Sequence, residues 1–213
     1  MSDKARPEET HPHRPERKLA AIFSADVQGY SRLMSDDEAA TIQTLTAYRE
    51  VMTSLIQQHR GRVVDSPGDN LLAEFASAVY AIQGAVAIQH ELKTRNAELP
   101  EYRQMAYRIG LNVGDVVVEG ERLYGDGVNI AARLESLADG GGICISEAMH
   151  MQIKNKLPFG YEYQGEQSVK NIAEPVRAYK VQLEAQETPQ SEAGQARLSV
   201  RSMKSRFGWK TAL

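Results

Sequence analysis

A single cysteine, Cys144, leaves this 213-residue chain unable to close an internal disulfide, which fits a reducing compartment. Its neighbours Ile143 and Ile145 mark it as a small buried hydrophobe. No apolar run approaches the roughly 18 residues of a membrane span, and the start has no signal-peptide core. A cytoplasmic protein with no membrane span is expected, membrane-proximal if the chain is a fragment of a longer one. Positive charge is not in surplus either. Lys and Arg number 25 against 28 Asp and Glu, so a nucleic-acid partner is not expected, although short phosphates need only a local patch. Neither P-loop glycine spacing nor zinc-type histidine spacing occurs.

What is there amounts to one good-sized domain between polar tails. Residues 1–17 are rich in charge, Pro and His and read as a disordered tail. Residues 18–183 read as the folded domain. Residues 184–213 shift to Glu, Gln, Ser and Pro and close with Arg197, Arg201, Lys204, Arg206 and Lys210 around Trp209, a linker with a basic end.

Leu19-Ala-Ala-Ile-Phe-Ser-Ala25 is a buried strand by its apolar run. From Asp36 to His59 the spacing of Ala39, Ile42, Leu45, Val51, Leu55 and Ile56 predicts a helix. Ser35 would be its N-cap, with Glu38 completing a capping box, and Gly61 would end it. Gly61-Arg-Val-Val64 and Leu71-Leu-Ala-Glu-Phe75 form a hairpin around Pro67-Gly-Asp-Asn70. A second helix spans Ser77 to Asn96. Strands follow at Tyr107–Val113 and Val116–Glu119, split by Gly114-Asp115. Beyond them come a helix over Gly127–Ala138, a strand over Ile143–Ile145, a helix over Ser146–Lys154, and strands near Phe159–Tyr163 and Val176–Leu183. The predicted fold is α/β (α+β): a ferredoxin-like βαββαβ core with an αβαββ extension, its crossovers right-handed.

In that topology strand one lies beside strand three. Asp26, where the first strand ends, and Asp69, in the hairpin turn, then meet at one sheet edge. Two carboxylates forced together repel unless a cation neutralises them, and hard oxygens suit Mg²⁺ or Mn²⁺. After Asp26 comes Val27-Gln-Gly-Tyr-Ser31 and a helix start, a turn whose amides can face an anion. Asn129 and Arg133, spaced i,i+4, project from one helical face while Ile130 and Leu134 turn inward. An amide and a guanidinium on one stripe suit charge building on a phosphate. Arg108 and Lys170 are further cations on or near strands. An acid after a strand is also an ordinary turn residue, and an Asn/Arg stripe an ordinary exposed face. Only their combination points to a nucleoside triphosphate.

At these residues the chain resembles the class III nucleotide cyclases, the adenylate and guanylate cyclase catalytic domain, from about Arg17 to Leu183. Four segments carry the likeness in order: Ile22-Phe-Ser-Ala-Asp-Val-Gln-Gly-Tyr-Ser31, Asp65-Ser-Pro-Gly-Asp-Asn-Leu-Leu-Ala-Glu-Phe75, Tyr107-Arg-Ile-Gly-Leu-Asn-Val-Gly114 and Leu123-Tyr-Gly-Asp-Gly-Val-Asn-Ile-Ala-Ala-Arg133. The resemblance implies two divalent metals, Mg²⁺ or Mn²⁺, on Asp26 and Asp69, with the Val27 carbonyl assisting. It implies phosphate binding by the amides of Gln28, Gly29, Tyr30 and Ser31 and by Arg108 and Lys170. Asn129 would orient the ribose and Arg133 would stabilise the transition state. It also implies a head-to-tail homodimer, because in the family the metal acids and the Asn/Arg helix act from opposite subunits.

Two departures from the family pattern concern the base and strand four. The family reads the base with side chains three residues before the hairpin glycine and three before the glycine that precedes the Asn/Arg helix. These positions hold Asp65 and Arg122, with charges inverted from the adenine-type Lys and Asp pair, so hydrogen-bond counting does not choose between ATP and GTP. ATP is the favoured substrate on the family's balance. The strand-four His of the family is Asn112 here. Two other readings fit a two-Asp palm or a cyclase-like shell, a polymerase and a non-catalytic regulatory module. The first would need a basic template groove, and the second no need of Asp26, Asp69, Asn129 and Arg133 together.

Overall fold

A computed structural model of the chain describes residues 16–168, 172 and 174–185. The two predicted tails lie almost wholly outside these residues, as does Lys170. The strands are β1 (Glu16–Val27), β2 (Gly61–Asp65), β3 (Leu71–Phe75), β4 (Tyr107–Glu119), β5 (Arg122–Tyr124), β6 (Ile143–Ser146), β7 (Phe159–Gln167) and β8 (Val176–Ala185). The α-helices are α1 (Tyr30–Asp36), α2 (Glu38–Gln58), α3 (Ala78–Ala97), α4 (Asp126–Leu137) and α5 (Glu147–Ile153). The sheet runs β2-β3-β1-β4-β6-β8-β7, with β5 beside β4. Its first four strands have the expected ferredoxin-like order, with β1 antiparallel to both β3 and β4.

Alternation along β1 sorts the chain into two layers, since successive side chains leave a strand on opposite faces. Ala21, Phe23, Ala25 and Val27 join the main core with Met52 and Ile56 of α2 and Ile82 and Ile88 of α3. Ala20 and Ile22 face the other way, toward Ala131 of α4. The same parity holds on β4, where Tyr107, Ile109 and Leu111 enter the main core. Full burial of one such side chain contributes about 1.5–3 kcal/mol. Parity therefore decides that Ser24 and Asp26, and Arg108, Gly110 and Asn112, stand on the α4 face. On that face Glu74 of β3 is clamped by Lys18 and Arg62, at 2.8 Å each. Burial opposes its charge, but hydrogen bonds from the two cations prevail and lower its pKa.

Four local expectations change. The predicted capping box is absent: Ser35 lies inside α1, its hydroxyl bonded to the Ser31 carbonyl, and Asp37 caps α2 by accepting from the Ala40 N–H at 3.0 Å. Asp37 takes extended backbone, φ −156° and ψ 92°, between the two helices, so its carboxylate can meet an orphan amide of α2. Arg60, at φ 60°, takes the left-handed turn after α2, and Gly61 opens β2. A methyl group at Gly61 would lie 2.4 Å from the Phe75 ring, so close packing rather than turn geometry requires that glycine. The strand at Tyr107 does not break at Gly114-Asp115 but runs on to Glu119, held by its ladder to β1. β5 is an additional strand, whose three residues between turns carry too little pattern to be read from the sequence.

Cys144 lies in β6, 1% exposed, and burial pushes its thiol up to about 11. Thiolate is the reactive form. A thiol-exchange reagent at pH 8 is expected to leave the native protein unmodified and to titrate one thiol per chain in denaturant. Rapid stoichiometric labelling of the native chain would contradict the burial described.

Candidate active site

Asp26 ends β1 opposite Arg108 of β4. Asp69 reaches the same strand end from the β2–β3 turn, where its Oδ2 accepts the Val27 N–H at 3.2 Å. The topology thus brings the two acids together as their order in the chain predicts. Arg108 does not wait free for a phosphate. Its Nε donates to Asp26 Oδ1 at 2.9 Å and its Nη2 to Oδ2, a two-pronged pair. That hydrogen bonding raises the Arg108 pKa most, and the charges of Asp26, Glu135 and Asp69 raise it further. Arg108 therefore sits among three acidic side chains and offsets the charge of the acid pair.

The donor set fits a hard divalent cation. Two carboxylates and the Val27 carbonyl supply oxygen only, and Mg²⁺ typically takes one or two carboxylates and completes its shell with phosphate and water. Among the described residues no three or more His, Cys, Asp or Glu side chains form a metal cage. An open pair that leaves positions for substrate is the arrangement to expect.

The turn after Asp26 is shaped by Gly29, whose φ of 74° few other residues adopt without strain. Of the four amides expected to meet phosphate, that of Gln28 is already donated to the Ala106 carbonyl at 2.9 Å. Those of Gly29, Tyr30 and Ser31 remain. Arg49 of α2, a cation the sequence reading did not single out, donates to the Gly68 carbonyl and so fixes the turn beside Asp69.

On α4, Asn129 and Arg133 are both exposed, and neither side chain has a hydrogen-bond or ion-pair partner among the described residues. The helix is held from below instead. Asn112, buried in β4, donates to the Gly127 carbonyl at 3.1 Å, so the residue standing where the family has His anchors the first turn of α4. At Gly110 a methyl group would lie 2.1 Å from the Ala131 carbonyl oxygen and 2.2 Å from the Glu135 nitrogen. Only glycine lets helix and strand approach so closely.

Glu135 is the functional candidate that the sequence reading missed. It is 4% exposed and accepts hydrogen bonds from Ser24 Oγ at 2.5 Å and from Asn70 Nδ2 at 3.3 Å. Burial, helped by the nearby Asp26, pushes its carboxyl up to about 7 against the opposing Ser24 hydrogen bond. The signal was a charged residue on the inward stripe of α4, beside Leu134 and one turn from Ala131.

Of the base candidates, Asp65 is exposed at the end of β2, its Oδ1 accepting its neighbour's Ser66 N–H at 2.8 Å. Arg122 is exposed on β5, where Tyr124 and then the Asp65 charge raise its pKa. Arg62 ties the two strands by donating to the Glu121 carbonyl at 3.2 Å. The pair expected to read a base lies on one side of the domain, with no direct bond between its members.

The mixed sheet thus carries an oxygen-only acid pair at the end of β1 and an exposed Asn/Arg stripe on α4. The family model described as "Adenylate and Guanylate cyclase catalytic domain" matches residues 13–183, and the chain belongs to that family. A Rhizobium meliloti protein named as a candidate adenylate cyclase is 45% identical over 164 residues, 76% of this chain and 28% of that protein. The chain thus spans less than a third of that relative's length. The crystal structure of an adenylate/guanylate cyclase/hydrolase from Silicibacter pomeroyi superposes with a TM-score of 0.74 at 38% identity, over 78% of this chain and 98% of that one. The adenylyl cyclase of P. aeruginosa shares the fold, with a TM-score of 0.70 at 23% identity over 79% of this chain and 96% of its own. Among the described residues no helix is long and apolar enough to cross a membrane.

Proposed function

We propose that the domain converts ATP to 3′,5′-cyclic AMP and pyrophosphate in a head-to-tail homodimer, at two composite sites that use Mg²⁺ or Mn²⁺. One observation carries this reading: Asn129 and Arg133 stand exposed on α4 with no side-chain partner among the described residues, although Asp26 and Asp69 are gathered and paired within the same chain. A second copy turned head to tail would give the exposed pair its substrate. Two sites would then form at one interface.

Divalent metal on Asp26, Asp69 and the Val27 carbonyl would draw charge from the phosphates. The residues of the chain account for the rest. Amides at Gly29, Tyr30 and Ser31 would cradle the phosphates. Arg108, released from Asp26, would turn its fork to an outer phosphate, with Lys170 as a second cation. Asn129 would orient the ribose so that its 3′ oxygen faces the α-phosphorus in line. As the new oxygen–phosphorus bond forms, the bond to the pyrophosphate oxygen breaks, and Arg133 would stabilise the charge that develops. The 3′ proton leaves to water or to a phosphate oxygen; no side chain of the motifs is placed as its base.

Turnover of ATP, GTP, CTP and UTP with Mn²⁺, with products identified by mass, tests the reading. Cyclic AMP is expected to be the main product, and no cyclic product from any of the four would overturn the assignment. Base choice is tested by Asp65→Ala and Arg122→Ala. A buried polar site discriminates strongly only when its groups meet the base. Each substitution is expected to change the ATP-to-GTP ratio of kcat/KM. An unchanged ratio in both would move base recognition to pocket shape or backbone groups.

A further inference from the structure

Glu135 lies between two parts of the molecule that, on the composite-site reading, serve different active sites. It follows Arg133 by two residues on α4, but points inward. Ser24, which donates to it at 2.5 Å, precedes Asp26 by two residues and so shares its face of β1. Asn70, which donates at 3.3 Å, is the residue after Asp69. One carboxyl group therefore holds the strand that ends in one acid and the turn that carries the other. The helix from which it reaches cannot easily withdraw, because α4 rests directly on Gly110. An acid this deeply buried costs stability unless its hydrogen bonds compensate, and packing alone would be better served there by an apolar side chain.

We infer that Glu135 is a positioning residue that couples the two active sites of the dimer, joining the acid pair used by one site to the Asn129–Arg133 stripe used by the other. This rests on the composite-site reading. In such a dimer each chain gives its acids to one site and its helix to the second. A shift of α4 on engaging substrate at one site would be felt through Glu135 by Ser24 and Asn70, and hence by the acids of the other.

Mixed dimers test this. In a mixture of Asp26→Ala and Arg133→Ala chains, the heterodimer has one intact site, its acids from the Arg133→Ala chain and its helix from the Asp26→Ala chain. Glu135→Ala is then placed in either chain. The expected result is a fall in kcat of about tenfold or more in both placements, with little change in KM, because small misplacement of reacting groups is costly. Glu135→Gln keeps an acceptor oxygen for Ser24 and Asn70 and is expected to recover most of that loss. Should Glu135→Ala chains fail to fold by thermal melting, Ser24→Ala removes the tie from the strand side and is expected to lower kcat several-fold in both placements. An effect confined to the acid-giving chain overturns the coupling, as does Glu135→Gln being as damaging as Glu135→Ala. Rescue in the parent mixture that Glu135→Ala leaves untouched overturns it alone. No rescue in the parent mixture, with subunit exchange demonstrated, overturns the composite site and the coupling with it.

Discussion

Asp26→Asn is expected to lower turnover by about 10²–10³-fold, the scale seen when one group facing transition-state charge is lost. Asparagine keeps the size of the side chain and one oxygen, but not the charge that a divalent cation needs. The structure adds a second expectation. Asp26 is held by both prongs of Arg108, so removing its charge strands a half-buried guanidinium. Loss of a hydrogen bond to a charged partner costs about 1.5–3 kcal/mol, so with a chelator present the variant should melt at a lower temperature than the parent. From the sequence alone, with two repelling acids and Arg108 assigned to phosphate, removing one acid is expected to leave the fold intact; the pairing of Arg108 with Asp26 reverses that. Asp69→Asn should lose turnover equally while keeping an acceptor for the Val27 N–H, and so should melt closer to the parent. Near-parental turnover with Mg²⁺ in either variant would contradict the assignment of the acids.

Mixing the two inactive homodimers, Asp26→Ala and Arg133→Ala, should restore activity. If chains exchange freely, half of the dimers are mixed, and each has one of two sites intact. About a quarter of the parental activity is then expected from counting sites. The Arg133→Ala homodimer should fall about 10²-fold or more in kcat with little change in KM, because a group that meets charge only in the transition state does not help bind the ground state. The measurement is activity against mixing ratio, with exchange followed by two differently tagged chains. A flat response would place all four groups in one chain's site, which the exposure of Asn129 and Arg133 does not favour.

Much of the fold was legible because its elements obey simple periods. β1 carries the mainly apolar run from Leu19 to Ala25, α2 and α3 show helical spacing, and the order of elements is enough to set β1 beside β3. The placement of Asp26 and Asp69 followed from that order. What was not legible depended on contacts between distant segments. Nothing local in Tyr107-Arg-Ile109 says that Arg108 will clamp an acid 82 residues away. The extension of β4 through Gly114-Asp115 comes from its partner strand, which overrides two residues with weak strand preference. Asp37 rather than Ser35 caps α2 because a short preceding helix absorbs Ser35. Glu135 is not legible as a site residue, because a lone acid in a helix is ordinarily solvated. Only the glycine at position 110 of another strand brings it under the site.

The long β1–β4 ladder also sets a limit on how this gene can vary. Every position from Glu16 to Val27 is paired in turn with one from Val118 back to Tyr107. A side chain's face is decided by counting, so an in-frame loss of one codon from Ala20 to Ile22 would exchange the two faces for the residues that follow. Phe23 would be driven toward α4 and Ser24 into the main core, while the acid at the strand's end turned away from Arg108. Substitution and deletion are therefore unequal events here. Leu19, 68% exposed, can be replaced by many residues, yet losing one codon from the buried stretch beside it would turn the acid at the strand's end to the wrong face.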